Sequence, residues 1–145
     1  DVIGSDHAPH TLEEKAKPYP ASPSGMPGVQ TLLPLLLDHA AHGRLTLQRV
    51  IDLTSAGAQR IFGIEGKGRI AAGYDADFTV VDLRKRWTVD EQWLASRSGW
   101  SPFTGMELTG KAIGTIIRGT VAMWEDTLGD APQGAPIRFE SIDFG

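Results

Sequence analysis

Cysteine is absent from the 145 residues, so neither a disulfide nor a thiolate metal ligand can come from this chain, and a reducing, cytoplasmic setting is the expected one. Long apolar runs are also missing. The most lipophilic, Leu32 to Leu37, is interrupted by Pro34 and falls far short of the roughly 20 residues that a bilayer span needs, so no membrane segment is expected. Positive charge is in short supply: 14 Lys and Arg stand against 18 Asp and Glu, for a net charge of −4. That balance gives no basic field for nucleic acid or an anionic membrane. An initiator methionine and a polar lead-in are lacking too, because the chain opens directly on Asp1-Val2-Ile3-Gly4. This opening reads as the interior of a buried parallel strand, and the chain as a fragment of something longer.

What is present is the composition of a soluble globular domain, 41% hydrophobic and 22% charged. Seventeen glycines and nine prolines predict many turns. After Gly4 comes a polar stretch from His7 to Pro27, in which Pro9, Pro18, Pro20 and Pro23 argue for a long loop. Helical spacing begins at Val29 and continues through Leu32, Leu33, Leu36, Leu37 and Ala40, with Pro34 in the first turn and Gly43 as the stop. Thr46 is placed to cap a second helix carrying Leu47, Val50, Ile51 and Leu53. Ser55 is expected to cap a third, through Ile61 and Phe62 and closed by Gly63.

The pattern then turns strand-like. Gly68 to Ile70 and Phe78 to Leu83 predict strands joined by the turn-rich Gly73 to Asp77, and Trp87 to Val89 predicts another short one. Ala112 to Arg118 and Val121 to Trp124 flank Gly119-Thr120 as a hairpin would. Beyond Glu125 the tail is polar and rich in Pro and Gly. No internal repeat is visible.

Chemistry concentrates in Ser5-Asp6-His7-Ala8-Pro9-His10. A carboxylate just past a buried parallel strand sits where barrel enzymes keep their reacting groups. There Asp6 could ligate a divalent metal, or take a proton from water that such a cation acidifies. His10, beyond Pro9, would point toward the same mouth and donate a hydrogen bond to an anionic substrate. The residues alone equally allow Asp6 to cap a turn and His7 and His10 to be ordinary loop histidines. His39 and His42 lie near a helix C-terminus, where an imidazole interacts well with the helix dipole, and no third ligand accompanies them.

Asp6-His7-Ala8-Pro9-His10 resembles the corresponding motif of the dihydroorotases in the amidohydrolase superfamily. Pro23 to Thr31 is similar to that family's glycine-rich substrate loop. Gly66 to Ile70 with Gly73 to Asp77, and Ser98 to Gly105, resemble two further family segments in the same order. The resemblance implies an α/β fragment: the last strand and helices of a (β/α)8 barrel in residues 1–63, then the C-terminal strands of a small β-sandwich domain in 64–125. Residues 126–145 would be an irregular tail.

The resemblance also implies roles. Asp6 would bind a divalent metal, most naturally zinc, and carry the catalytic proton. His10 would hold the substrate carboxylate, and main-chain groups of Ser24 and Gly25 would contact the ring of a small cyclic amide. The family loop often has Phe at the position of Ser24 and Glu at that of Gln30, which leaves the ring substrate less defined than the reaction type. Remaining metal ligands lie on earlier strands of the family fold, so the isolated chain is expected to be catalytically silent and to cover its apolar surface by self-association or against a partner subunit. Competing readings are another cyclic amidohydrolase, such as an allantoinase or hydantoinase, and a non-catalytic dihydroorotase-like partner subunit.

Overall fold

The fold, seen in a computed structural model, is described for residues 1–130 and 134–140. Helix α1 (Leu12–Lys15) interrupts the expected long loop. It forms because Thr11 and Glu14 make a reciprocal capping box, a device that outweighs the surrounding prolines. Helix α2 (Leu32–Ala41) places Pro34 in its first turn and is followed by Gly43 at φ 71°, as the spacing predicts.

From Leu47 to Phe62 the chain is one winding in three parts. Helix α3 (Leu47–Ile51) starts at Thr46, whose hydroxyl accepts from the Arg49 N–H, and Asp52–Ala56 continues it as a π-helical stretch. Helix α4 (Gly57–Phe62) then ends at Gly63 in the left-handed conformation, φ 58° and ψ 42°. The expected cap at Ser55 is therefore corrected: Ser55 lies inside the π-helical stretch, where no new helix begins. Such π-helical turns occur as insertions within a continuing helix.

Strand β1 (Phe78–Thr88) pairs antiparallel with β2 (Glu107–Ile117), which pairs with β3 (Thr120–Trp124), which pairs with β4 (Thr127–Leu128). Trp87 and Thr88 belong to β1 and form no separate strand. The register jumps from Asp82↔Lys111 to Arg86↔Thr109, so Leu83 to Lys85 bulge out and the ladder resumes beyond them. The hairpin between β2 and β3 turns at Arg118 (φ 50°) and Gly119 (φ 82°), one residue earlier than expected. Positive φ at both central residues suits the right-handed twist of the strands. Glu125 (φ 46°) and Asp126 (φ 65°) repeat this geometry before β4, which itself falls within the 126–145 stretch expected to be irregular.

Two expected strands are absent from the described residues. Gly68 to Ile70 is irregular. Val2 and Ile3 are extended in sequence character but pair with no strand; Ile3 instead donates its N–H to the Leu53 carbonyl at 3.2 Å. A strand exists only through its ladder, and the neighbour on this side is a helical segment. The fold observed is thus α/β with one antiparallel sheet.

Helix α2 covers that sheet. Leu36 and Leu37 are buried with Val50, Val89 and Leu108, and Gly110 of β2 lies directly against Leu37. A Cβ built on Gly110 would stand 2.7 Å from Leu37 Cβ, and its φ of 102° excludes an ordinary side chain as well. Asp38 ties the two layers by accepting the Thr109 N–H at 3.0 Å.

Surface carboxylates secure the turns. Asp75 and Asp77 both receive Lys67, and Asp77 also accepts the Arg118 N–H at 2.7 Å. Lys67, by its hydrogen bonds, holds both aspartates below the ordinary carboxylate range, and they raise Lys67 in return. A carboxyl whose folded pKa is depressed stabilises the fold above its unfolded value and loses that contribution as pH falls through the folded one. Acid unfolding should therefore steepen as pH falls below the ordinary aspartate value of 3.8. Lys67 works in the opposite sense, contributing below 10.5 and losing its contribution as pH rises past it. Thermal midpoints measured against pH check this: Asp77→Asn should flatten the acid limb, and an unchanged limb would refute the assignment.

Candidate active site

Two loops lie against each other. Ser5 to His10 runs beside Ser24 to Gln30, joined by an isolated parallel bridge between His7 and Met26 and by the Ala8 N–H donating to the Met26 carbonyl at 2.9 Å. The fit is tight, since Cβ atoms on Gly25 and Gly28 would stand 2.5 Å from Ala8 Cβ and 2.8 Å from the Ser5 carbonyl. What the missing side chain of Gly25 (φ 91°) admits here is Ala8 of the same chain.

Three side chains hold this arrangement. His7 Nδ1 accepts from the Gly28 and Val29 N–H groups at 3.1 and 3.3 Å. That nitrogen is therefore unprotonated, and a neutral His7 carries its proton on Nε2. Lys15 Nζ donates to the Pro23 and Gly25 carbonyls at 2.7 and 3.1 Å. Gln30 spans to a distant segment, its Nε2 donating to the Trp93 carbonyl at 2.7 Å and its Oε1 accepting from the Ala95 N–H at 2.8 Å. The sequence offered His7 as a loop histidine and Gln30 as a departure from the family loop, and nothing local announced the partners of either.

Asp6 is exposed, sits at φ 45° and has no hydrogen-bond or ion-pair partner for its carboxylate among the described residues. Aspartate tolerates this left-handed backbone better than most residues. His10 is half-buried, with its N–H on the Ala8 carbonyl and its Nδ1 3.3 Å from Glu14 Oε2. The Glu14 carboxyl is held below its ordinary value, first by the Thr11 N–H and then by His10, against the opposing effect of burial. Ser24 and Gly25 are exposed at the rim of the second loop. A groove of about 260 Å³ is lined by His7, Pro27 to Thr31 and Leu94 to Ser96. Asp6, His10, Ser24 and Gly25 do not line this groove.

Among the described residues, no three His, Asp or Glu side chains converge as ion ligands. The Asp6 carboxylate is free to act as one ligand, and one is too few for a resident zinc. His39 and His42 do not join it. His42 Nδ1 contacts the Asp38 carbonyl at 2.9 Å and His39 Nδ1 receives Arg44 at 2.8 Å.

Gln30 gives a direct test. Glutamate at this position keeps an acceptor for the Ala95 N–H but sets a carboxylate against the Trp93 carbonyl. Gln30→Glu should cost about 1–3 kcal/mol in stability, read by denaturant unfolding. No loss would mean that the bond to Trp93 carries no weight.

The sequence pattern of the Amidohydrolase family matches residues 1–122. The chain is 46% identical over 136 residues to the dihydroorotase of Pyrococcus furiosus, covering 94% of this chain and 32% of that protein. It is 44% identical over 138 residues to the dihydroorotase of Halobacterium salinarum, covering 95% and 32%. Among solved structures, the L-hydantoinase of Arthrobacter aurescens superposes with a TM-score of 0.84 at 33% identity, over 90% of this chain and 30% of that one. The D-hydantoinase of a Thermus species gives 0.84 at 31% identity with the same coverage. This chain spans about a third of the length of the curated relatives it matches.

Proposed function

Because the chain belongs to the amidohydrolase family, we propose that the whole protein is a cytoplasmic, metal-dependent hydrolase of cyclic amides, a dihydroorotase converting dihydroorotate and water to N-carbamoyl-aspartate in pyrimidine biosynthesis. On this reading, residues 1–63 are the last strand and helices of a (β/α)8 barrel, and the sheet is its C-terminal β domain. The observation that carries the reading is Asp6: an exposed carboxylate, unpartnered among the described residues, on a loop whose next two residues are tied down.

Ring opening needs water to lose a proton and the departing nitrogen to gain one. The water oxygen bonds to the ring carbonyl carbon, the carbon–nitrogen bond breaks, and Asp6 carries the proton from the first to the second, ending as it began. A divalent metal, zinc on this reading, supplies polarisation of the carbonyl and a more acidic water, with Asp6 as one ligand and the others contributed from outside this chain. His10 binds the substrate carboxylate. With its Nδ1–H on Glu14, the ring offers Nε2, which donates there when the ring is doubly protonated. Main-chain groups of Ser24 and Gly25 meet the ring.

Apolar side chains left open, Phe62 at 56% and Ile70 at 86% exposure, support cover by the rest of the protein or by a second subunit. The likeness to hydantoinases favours cyclic amide chemistry in general, and the higher identity to dihydroorotases favours the carboxylated ring. The whole protein, assayed with dihydroorotate, hydantoin and allantoin, should turn over the first, and the isolated chain none of them. Failure on dihydroorotate with turnover of another ring would replace this substrate.

A further inference from the structure

The Ser98 to Gly105 motif takes no part in the chemistry above, yet it touches the site. The Trp100 indole N–H donates to the His10 carbonyl at 2.7 Å, across 90 positions of sequence. Gln30 bonds to both ends of Trp93-Leu94-Ala95 a few residues earlier. That stretch is itself anchored in the sheet. Trp93 Nε1 donates to Asp126 at 3.0 Å, and Lys111, buried against the Trp87 and Trp93 rings, pairs with the same carboxylate at 2.5 Å. Burial pushes the Asp126 carboxyl up, but Lys111, the Trp93 indole and Lys85 together outweigh it and hold it below the ordinary carboxylate value. The segment from Trp93 to Trp100 thus runs from a fixed point in the sheet to the backbone of the loop that carries Asp6 and His10.

We propose that Trp100 is a positioning residue for recognition of the substrate carboxylate, acting through His10. This rests on His10 being the carboxylate-binding group. Both main-chain polar groups of His10 are occupied, the N–H by Ala8 and the carbonyl by Trp100, and Glu14 holds the ring at Nδ1. These contacts restrain the backbone and one ring nitrogen, and leave Nε2 as the nitrogen without a partner among the described residues. Losing the indole bond releases the carbonyl, and the imidazole must then be ordered by the substrate, which weakens binding more than the chemical step.

The experiment is a double-mutant cycle in the whole protein with Trp100→Phe, which keeps an aromatic ring and removes the donor, and His10→Asn. Trp100→Phe should raise KM for dihydroorotate about fivefold to tenfold with kcat within about twofold. In the His10→Asn background the same change should have no further effect. An equal effect in both backgrounds, or a fall in kcat that tracks a lowered thermal midpoint, would reduce Trp100 to a packing residue and overturn the proposal. Should the wild-type protein not turn over dihydroorotate, the reading of the substrate fails separately, and the His10 imidazole resonances still decide. They should shift in Trp100→Phe; unchanged resonances overturn the proposal. If Trp100→Phe does not fold, Gln30→Ala cuts the other tie to the same segment and carries the same expectations.

Discussion

Asparagine in place of Asp6 in the whole protein is expected to lower kcat for ring hydrolysis by about a thousandfold or more and to leave the fold intact. The two side chains have nearly the same shape, and asparagine also accepts the φ of 45° that this position requires. No hydrogen bond of Asp6 among the described residues is lost, so stability should move little. What disappears is the proton carrier, worth about 10²–10⁴ in rate when a positioned acid–base group is removed, together with an anionic metal ligand. Measuring kcat beside metal content and the unfolding midpoint separates the causes. A variant keeping more than about a tenth of the activity would end the assignment of Asp6 as the proton-carrying group.

The second large effect is structural. Gly110→Ala should destabilise the protein by about 3 kcal/mol or more, because two penalties coincide. The backbone there, at φ 102°, is one that L-residues rarely adopt, and the new methyl would press on Leu37, itself 2% exposed and unable to withdraw. Gly119→Ala, at φ 82° with open space around it, carries the backbone penalty alone and is the control. Denaturant unfolding of the two variants should put Gly110→Ala clearly below Gly119→Ala. Equal losses would mean that helix α2 can shift away from the sheet at little cost.

Local signals in the sequence were read well where one residue decides the outcome. Thr46, Pro34, Gly43 and Gly63 each fix a helix boundary through a hydroxyl, a missing N–H or a left-handed backbone, and each stands where expected. Ser55 misled because a π-helical stretch carries the chain past it. The Thr11/Glu14 capping box was present in the sequence but overshadowed by four prolines nearby. Trp87 looked like the start of a new strand because the bulge of Leu83 to Lys85 breaks the alternation that would have joined it to Phe78.

At the site, the motif from Asp6 to His10 and the loop from Pro23 to Thr31 were visible through resemblance. Their supports were not. A histidine that accepts from backbone N–H groups some 20 residues on leaves no periodic trace. Neither does an indole bonded to a carbonyl 90 positions away. Such contacts belong to tertiary structure, and no window of neighbouring residues contains both partners.

Those sequence separations also set an order of assembly. The hairpin at Arg118-Gly119 closes between adjacent strands, an event of microseconds. The bonds from Gln30 to Trp93 and Ala95 and from Trp100 to His10 close loops of 63, 65 and 90 residues, so their entropy is spent before any contact repays it. Amide protons around His10 should accordingly gain protection late in refolding and exchange early from the native protein, well ahead of those in β2.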